Sequence, residues 1–479
     1  MKYPTLEEVK KFAKRCNMVP LADELFSDIL TPIQILKFLQ ETGKPFFIFE
    51  SVETGAAWGR YSFLGFAPSK VIHGRGGRVF IDGKPAAGAP DAALKKCISA
   101  YKSPSFDYLP PFTGGFAGYF SYDYIQYAEP SLKLRARDDM GFDDFRLMLF
   151  DKIIAFDHLR QKIIIIANVD TENVDANYPA ALRAIEEIKN MILNSSPALA
   201  PVEDGAPPVF KAAFTEEEYC SMVRKAKHYI KEGDIFQAVL SNRLTADYGR
   251  SLLGFYRKLR TINPSPYMFY INSGGAEEIA GASPETLVSV QNGVVRTFPL
   301  AGTCKRGETP EEDEALAAAL LQNEKELAEH DMLVDLGRND LGKICAFGTV
   351  RVEEYKAVKQ FSHVSHISSK ITGKIKENVD ALDVIASVLP AGTLSGAPKK
   401  RACEIIDELE GVKRGPYGGA VGYIDFAGNL DFCIGIRMAV LKDKKICVQS
   451  GAGIVYDSAP ENEYKECINK AKAMTEAFK

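Results

Sequence analysis

Strands and helices follow one another along this chain without the regular strand–helix alternation that a parallel sheet requires. Three β-rich segments, at residues 46–49, 153–156 and 162–167, come before the first long helix, which is predicted at about 174–193. This order predicts an α+β fold with large antiparallel sheets. The later part of the chain mixes both types, with strands predicted at 239–244, 267–271, 286–290, 432–440 and 445–450, and helices predicted at 311–336, 381–389 and 398–410.

A segment rich in Pro and Ala, residues 195–209, carries almost no periodic apolar signal and is typical of a linker. It separates an N-terminal region, residues 1–195, from a second region, residues 210–479. The second region opens with Thr215 and Glu218 at the spacing of a capping box, ahead of apolar residues at helical spacing. With 479 residues and 46% hydrophobic content, the chain can form about two to four domain-sized units or one large interwoven domain.

The composition argues against several classes of protein. The net charge of −4, without a long basic block, argues against a nucleic-acid partner. No apolar run approaches the length of a membrane span, and the polar, acidic N-terminus is unlike a signal or transit peptide. We therefore expect a protein that does not bind membranes. The nine cysteines include no Cys-x-x-Cys pair and are typical of reduced thiols, so we expect a cytoplasmic location. The sequence contains no Walker loop, dinucleotide-binding glycine motif or glutaminase nucleophile motif.

Two pairs of glutamates, Glu326 with Glu329 and Glu463 with Glu466, are each spaced three residues apart. In a helix the two members of a pair lie on one face, where their like charges repel unless a cation offsets them. Hard divalent cations do so, and Mg²⁺ often binds through one or two carboxylates while the substrate supplies further ligands. The alternative interpretation is two solvated helix faces.

Glycine-rich segments mark places where the backbone can approach a ligand closely. Residues 392–398 run into the helix predicted at 398–410, and Pro398 suits the first helical turn. A glycine-rich helix start offers N–H groups to an anion, although a plain capping loop explains the same residues equally well. Gly451 and Gly453 follow a predicted strand, and small residues there let backbone N–H groups come close to a ligand.

Three further side chains each allow two interpretations from the residues alone. Arg437 stands between apolar neighbours in the strand predicted at 432–440, so it needs a partner, either a substrate carboxylate or a structural salt bridge. His366 is one of six histidines, and a lone histidine is more often a hydrogen-bonded core residue than a catalyst. Glu285, in the short string Ser-Pro-Glu, is equally unspecific by itself.

A series of short strings carries the most specific signal in the chain. The series is GDIFQ at 233–237, GASPE at 281–285, PLAGT at 299–303, AEH at 328–330, VDL at 334–336, RND at 338–340, PAGTLSGAP at 390–398 and YGGAVGY at 417–423. Together these strings resemble the chorismate-utilising enzymes, over essentially all of residues 215–479 and less densely at residues 49–51 and 60–62. The resemblance implies that family's fold, large interwoven antiparallel sheets with surrounding helices, and the anthranilate-forming branch is the most similar.

The resemblance implies a metal site built on the two glutamate pairs. Glu329 and Glu466 would bind Mg²⁺, which in turn would hold the ring carboxylate of chorismate. Glu463 and Glu326 would complete the acidic shell, and Glu326 also counts among the catalytic residues. The ion would polarise the conjugated carboxylate and stabilise charge that develops as ammonia adds at C2.

The resemblance also implies roles for residues around the substrate. Glu285 would protonate the departing 4-hydroxyl, because hydroxide is a poor leaving group, and His366 would assist the later loss of pyruvate. Thr393 would lie in the catalytic pocket. The residues expected to contact substrate, with Arg437 on a carboxylate, are Gly302, Thr303, Tyr417, Arg437, Gly451, Ala452 and Gly453.

Two positions separate the branches of this family. Enzymes that add water carry Lys where this chain has Gln237, and Gln cannot act as a general base. Aminodeoxychorismate synthases carry a nucleophilic Lys where this chain has Ala301. Both residues favour direct amination to anthranilate, with aminodeoxychorismate synthase component I as the alternative. A non-catalytic amino-acid-binding protein is a further hypothesis, against which the four glutamates, Glu285 and His366 argue.

The resemblance implies a partner and an inhibitor as well. Because this chain lacks a glutaminase motif, ammonia would come from a separate glutamine amidotransferase subunit, the second component. Tryptophan would act as a feedback inhibitor, and ordinary packing of an aromatic strand is the alternative interpretation of its site. The residues similar to that family's tryptophan site are Glu50, Ser51, Pro266, Tyr267 and Met268.

Overall fold

A computed structural model describes residues 4–28, 30–51, 59–194, 205–275, 277–360 and 364–479. Over these ranges the chain forms two large sheets with helices packed against them, which confirms the predicted α+β class. Most of the predicted linker, residues 195–204, lies outside the described ranges, and residues 205–210 have no regular secondary structure. Within the same ranges, no helix has both the length and the apolar character needed to cross a membrane.

Among the described residues, the first sheet has twelve antiparallel strands, numbered in chain order. Across the sheet they are β1 (Met18–Phe26), β10 (Lys162–Asp170), β9 (Lys152–Asp157), β3 (Tyr61–Phe66), β2 (Phe46–Glu50), β13 (Tyr267–Asn272), β14 (Glu277–Ser283), β23 (Met438–Lys442), β24 (Lys445–Ile454), β12 (Gln237–Asp247) and β11 (Lys211–Ala212), with β20 (Gly396–Ala397) also paired to β12.

The second sheet also has twelve antiparallel strands within the described ranges. Across the sheet they are β17 (Leu300–Lys305), β19 (Val364–Lys374), β16 (Val294–Thr297), β15 (Thr286–Gln291), β22 (Leu430–Ile434), β21 (Ala420–Asp425), β7 (Gly115–Phe120), β8 (Phe145–Phe150), β4 (Lys70–Arg75), β5 (Arg78–Ile81) and β6 (Lys84–Pro85), with β18 (Arg351–Gln360) also paired to β19.

Both sheets contain strands from either side of the segment at 195–209. In the first sheet β2 pairs with β13, and Glu50 lies opposite Met268. In the second sheet β7 pairs with β21, and Gly118 lies opposite Gly422. The regions before and after the segment are therefore joined by backbone hydrogen bonds within each sheet.

Aromatic side chains form the contact between the faces of the two sheets. Phe47 on β2 and Phe150 on β8 are both fully buried, and their ring centroids lie 4.8 Å apart. Phe112 stands beside them, with its ring 6.1 Å from that of Phe47. Burying one such side chain stabilises a fold by roughly 1.5–3 kcal/mol. This core fixes the relative position of the two sheets, and residues of the candidate site come from both.

The helices follow the predicted patterns in most places. The capping box forms at α6, where Thr215 Oγ1 accepts a hydrogen bond from the N–H of Glu218. The helices predicted at 174–193, 381–389 and 398–410 are confirmed to within one residue at each end. The described residues form α1 (Leu6–Phe12), α2 (Pro32–Glu41), α3 (Pro90–Ser99), α4 (Ile125–Ala128), α5 (Val174–Asn194), α6 (Glu216–Lys231), α7 (Leu253–Ile262), α8 (Pro310–Leu320), α9 (Glu324–Ile344), α10 (Ala381–Val388), α11 (Lys399–Glu410) and α12 (Pro460–Thr475).

The prediction of a single helix at 311–336 is wrong, because residues 321–323 separate α8 from α9. The side chain of Asn323 is the physical reason. Its oxygen accepts from the backbone N–H of Lys325 at 3.1 Å and of Glu326 at 3.3 Å, as an N-cap residue does. The new helix start places the first glutamate pair in the opening turns of α9.

The prediction of a single strand at 432–440 is also wrong. β22 ends at Ile434 in the second sheet and β23 begins at Met438 in the first, so the intervening residues cross between the sheets. Gly435 lies in this crossing, where a Cβ would stand 2.4 Å from a backbone carbonyl oxygen. Arg437, expected within a strand, instead lies in the crossing and has a left-handed backbone with φ 48°.

Candidate active site

Glu285 lies where the chain passes from the first sheet to the second, directly between β14 and β15. Its Oε1 accepts a hydrogen bond of 3.0 Å from Thr393 Oγ1, which is held in a 3-10 turn at Gly392–Leu394. Burial raises the pKa of Glu285 to about 7, against the opposing effects of the Thr393 hydrogen bond and of the charges on Arg437 and Lys470. A carboxyl with a near-neutral pKa can hold a proton at pH 7 and donate it as a general acid.

Arg437 brings a positive charge close to Glu285. Burial lowers the pKa of Arg437 below its ordinary value, and the charge of Glu285 offsets only part of this lowering. Its left-handed backbone is a conformation that costs a non-glycine residue roughly 1–3 kcal/mol and is often found at functional sites. Over the described ranges its guanidinium has no hydrogen-bond or ion-pair partner. A structural salt bridge is therefore not formed there, and the group remains open to a substrate carboxylate.

His366 on β19 is oriented by the neighbouring strand β17. Its Nδ1 lies 3.0 Å from the carbonyl oxygen of Gly302 and 3.0 Å from Thr303 Oγ1. The carbonyl can only accept, so we assign the ring proton to Nδ1, which leaves Nε2 as the basic nitrogen. Burial lowers the pKa of His366, which keeps the ring neutral at pH 7. A neutral, oriented imidazole can accept a proton from a reacting carbon.

Neighbouring groups stand close to two glycines on β24, a backbone carbonyl at Gly451 and the end of a side chain at Gly453. A Cβ at Gly451 would stand 2.6 Å from the carbonyl oxygen of Leu240 and 3.2 Å from the hydroxyl of Tyr417. A Cβ at Gly453 would stand 2.8 Å from Gln237 Nε2. Burial raises the pKa of Tyr417 above its ordinary value, so its hydroxyl keeps its proton and can donate it in a hydrogen bond.

Three other residues singled out by the sequence, Ala452, Gln237 and Ala301, are all buried. Ala452 is fully buried in the apolar cluster with α6, α11 and α12, so only its backbone can contact a ligand beside Gly451 and Gly453. Gln237 is 4% exposed, and its Oε1 has no hydrogen-bond partner among the described residues. Ala301 is 8% exposed on β17.

The glycine-rich segment at 392–398 positions Thr393. Pro398 occupies the N-cap position of α11, one residue before the predicted first turn. The buried guanidinium of Arg414 donates to the carbonyl of Leu394 at 2.6 Å and thereby holds the 3-10 turn. Arg414 was not among the predicted site residues, although its spacing of four residues from Glu410, with which it forms a buried ion pair, was a detectable signal.

The two glutamate pairs lie on the helices α9 and α12, which fulfils the condition for each pair to share a helix face, and their charges interact. Burial raises the pKa of Glu329, and the negative charges of Glu326 and Glu466 raise it further. Burial also raises the pKa of Glu463, and the charge of Glu466 adds to this effect. The two helices therefore bring the predicted acidic residues into one electrostatic cluster, which a cation would stabilise.

The donor set of this cluster fits a hard cation that takes few ligands from the protein. Across the described part of the chain, no three His, Cys, Asp or Glu side chains are grouped closely enough to hold an ion by themselves. Two carboxylates, Glu329 and Glu466, with further oxygen ligands from a substrate match the coordination habit of Mg²⁺. Lys470 was not among the predicted site residues; its Nζ lies 2.7 Å from Glu466 Oε1 and donates to the carbonyl of Gly451 at 3.3 Å. Its signal was the four-residue spacing from Glu466.

A second site, a cavity of about 820 Å³ lined by strands of both sheets, lies at the residues similar to a tryptophan site. Its volume lies within the ordinary range for small-molecule pockets. Glu50 is already paired, with Arg260 Nε at 2.8 Å and the hydroxyl of Tyr256 at 2.7 Å. Ser51 Oγ is buried and has no hydrogen-bond partner among the described residues. The predicted residues that line this cavity are Glu50, Ser51, Pro266, Tyr267 and Met268.

Comparisons with known proteins find matches over almost the whole chain. A family profile described as chorismate binding enzyme matches residues 44–476. The chain is 46% identical to anthranilate synthase component 1 of Acetivibrio thermocellus, over 100% of this chain and 99% of that protein. It is 41% identical to anthranilate synthase component 1 of Aquifex aeolicus, over 99% of this chain and 97% of that protein.

Solved structures show the same architecture. The crystal structure of anthranilate synthase component I from Streptococcus pneumoniae superposes with a TM-score of 0.78 at 38% identity, covering 94% of this chain and 99% of that one. The menaquinone-specific isochorismate synthase from Escherichia coli superposes with a TM-score of 0.73 at 17% identity, covering 99% of each chain, and shows the common fold alone.

Proposed function

Since the chain belongs to the family of chorismate binding enzymes, we propose that it performs the lyase reaction of anthranilate synthase component 1. In that reaction chorismate and ammonia give anthranilate, pyruvate and water. The observation that carries the proposal is Glu285, whose carboxyl has a pKa of about 7 and is held by Thr393 beside the charge of Arg437. This arrangement places a proton donor next to a cation that can bind the substrate's carboxylate.

The residues of the chain divide the chemistry into two steps. Glu285 donates its proton to the 4-hydroxyl, which leaves as water while ammonia forms a bond to C2 of the ring. Nε2 of His366 then takes the proton from C2 as the bond from C3 to the enolpyruvyl oxygen breaks, and the ring becomes aromatic. The released enolpyruvate takes up a proton at its methylene carbon and becomes pyruvate. Arg437 holds a carboxylate of the substrate throughout both steps. The glycines of β24 let the ring of the substrate lie close to the backbone.

Glu329 and Glu466 hold Mg²⁺ in this proposal, with Glu326 and Glu463 completing the acidic shell. When bound, the ion polarises the carboxylate on the ring and stabilises negative charge that develops on it. The charges of Glu326 and Glu466 raise the pKa of Glu329, and the charge of Glu466 raises that of Glu463, which supports this assignment because a cation relieves such repulsion.

Two residues favour amination at C2 over the other reactions of the family. Gln237 provides no base to activate water, and Ala301 provides no amine for a covalent bond to the ring. The aminodeoxychorismate synthase alternative is not favoured, since the full-length relatives at 38–46% identity carry the name anthranilate synthase component 1.

The remaining parts of the proposal concern regulation, partner and compartment. The cavity between the sheets binds tryptophan as a feedback inhibitor. Residues 1–195 thereby take part in regulating the catalytic region at 210–479. A glutamine amidotransferase subunit supplies ammonia as the second component, as the name of the relatives implies. All nine cysteines are free, which suits the reducing cytoplasm.

The product and the nitrogen source test the proposed function. The purified chain with chorismate, Mg²⁺ and ammonium at alkaline pH is expected to form anthranilate, seen by its fluorescence, and equimolar pyruvate. Glutamine should replace ammonium only after a glutaminase subunit is added. Isochorismate without any need for ammonia, or glutamine use by the pure chain, would place it outside the proposed branch.

Ser51→Phe is expected to relieve inhibition by tryptophan. The added ring occupies the cavity that Ser51 lines, so tryptophan should bind at least about tenfold more weakly, which corresponds to about 1.4 kcal/mol. The measurement is the ratio of initial rates with and without tryptophan for each protein. Ser131→Phe is the control, because it adds the same ring at an exposed position outside the cavity. An unchanged ratio in Ser51→Phe removes Ser51 from the proposed site.

A further inference from the structure

Tyr267 connects the two sheets beside the catalytic acid. It begins β13 in the first sheet, and its phenol oxygen lies 2.9 Å from Asp431 Oδ1 and 3.0 Å from Thr286 Oγ1, both in the second sheet. A phenol has a single proton, which it donates to the carboxylate of Asp431. The hydroxyl of Thr286 is therefore the donor in the other bond.

The segment around Glu285 is held by Tyr267 on both sides. The backbone of Tyr267 pairs with Ser283, two residues before the acid, and its side chain reaches Thr286, the residue directly after it. Ser283 Oγ in turn accepts from the N–H of Glu285 at 3.4 Å. A shift of Tyr267 is therefore transmitted to the segment that carries the acid from both directions.

Asp431 extends this connection towards Arg437. It lies on β22, whose last residue, Ile434, donates its N–H to the carbonyl of Glu285 at 3.0 Å. β22 then leads into the crossing segment that carries Arg437. The hydroxyl of Tyr267 thus contacts both β15, which begins directly after Glu285, and β22, which ends shortly before Arg437.

The same hydroxyl lies at the boundary between two cavities. Tyr267 and Asp431 line the large cavity between the sheets, whereas Thr286 does not. Thr286 instead lines a smaller cavity of about 50 Å³ together with Glu285 and Thr393. The hydrogen bond from Thr286 to Tyr267 therefore joins the wall of one cavity to the wall of the other.

We propose that Tyr267 and Thr286 are positioning residues that couple an amino acid bound between the sheets to the placement of Glu285. The inference rests on the proposed binding of tryptophan in that cavity. A ligand that displaces the ring of Tyr267 breaks or redirects its bonds to Thr286 and Asp431, and the acid moves away from its place beside Arg437. Because coupling between two sites is reciprocal, chorismate must weaken the binding of tryptophan by the factor by which tryptophan weakens that of chorismate.

The test measures the Kd of tryptophan by calorimetry, with and without saturating chorismate, in Mg²⁺ and without a nitrogen source. The ratio of the two Kd values reports the coupling apart from turnover. In the wild type we expect a ratio of at least about five, the lower end for allosteric coupling. In Thr286→Val the ratio should fall to about one. The Kd without chorismate should stay near the wild-type value, because Thr286 lies outside the large cavity. Tyr267→Phe should lose the coupling in the same way.

Thr297→Val is the matched control for this experiment. Thr297 lines the same small cavity as Thr286, but its hydroxyl donates to the carbonyl of Leu287 at 3.1 Å. This variant should keep the wild-type ratio. Thr286→Val protein that binds tryptophan and also keeps the wild-type ratio overturns the coupling role. Wild-type protein that binds no tryptophan overturns the proposed function of the cavity and this inference with it, so the two failures are distinct.

Discussion

Replacing Glu329 or Glu466 with Gln is expected to lower turnover by more than about 100-fold, since even the outer-shell partners of a bound metal cost about 10–100-fold when they are lost. Glutamine keeps the size of the side chain and removes its charge, so the loss reports on charge and not on packing. The pKa of Glu329 is raised by burial and by the charges of the nearby Glu326 and Glu466. A bound cation would offset this repulsion between the carboxylates. The measurement is kcat with ammonium as the nitrogen source over a range of Mg²⁺ concentrations.

Glu324→Gln provides the control for both substitutions. Glu324 is the first residue of α9 and is exposed, so the change removes the same charge outside the cluster, on the helix that carries Glu329. This variant should keep wild-type turnover, and circular dichroism should show an unchanged fold in all three proteins. Near wild-type turnover of Glu329→Gln and Glu466→Gln at ordinary Mg²⁺ concentrations would mean that these carboxylates do not hold the ion.

Glu285→Gln is expected to lower kcat by roughly 10²–10⁴-fold, the usual contribution of a general acid. The amide keeps the shape of the carboxyl and can still accept from Thr393, but it has no proton to give. Binding of chorismate should change far less than kcat, because Arg437 and the metal-binding carboxylates are untouched. A variant with wild-type kcat would show that another group protonates the leaving hydroxyl.

The pH profile gives a second measure of this role. The acid form of Glu285 donates the proton, so the rate per concentration of free ammonia should fall as pH rises through about 7. The hydrogen bond from Thr393 lowers the pKa of Glu285. Thr393→Val removes that bond, so the pKa should rise and the descending limb should move to higher pH. A limb that moves to lower pH, or stays in place, contradicts the assignment.

Local patterns in the chain were sufficient for the class of fold and for the elements with a strong apolar period or a cap, although many short strands and helices were not predicted. The capping box at Thr215 and the helical spacing behind it predicted α6 because a cap and an apolar face are properties of a short segment. The same approach failed at 321–323 and 435–437. An asparagine cap divides the first segment, and at the second the chain crosses between sheets. A strand pattern does not reveal which sheet a residue joins.

Some residues of the candidate site were likewise predicted from the sequence and others were not. The spacing of each glutamate pair predicted a shared helix face, and the ordered strings predicted which residues belong to the site. Lys470 and Arg414 were missed, although each has an acidic residue four positions earlier. Such pairs are common on solvated helices, so spacing alone does not distinguish a residue that holds a pocket in place.

By itself the sequence determined the α+β class, predicted the residues of the site and placed each glutamate pair on one helix face on the condition that its segment is helical. Only the tertiary structure decided that α9 and α12 bring the pairs together and that burial raises the pKa of Glu285 to about 7. It also decided that Tyr267 meets Asp431, which stands 164 residues away in the chain. The physical reason is that desolvation and electrostatic interactions depend on which distant segments pack together, whereas caps and periodicity depend on neighbours along the chain.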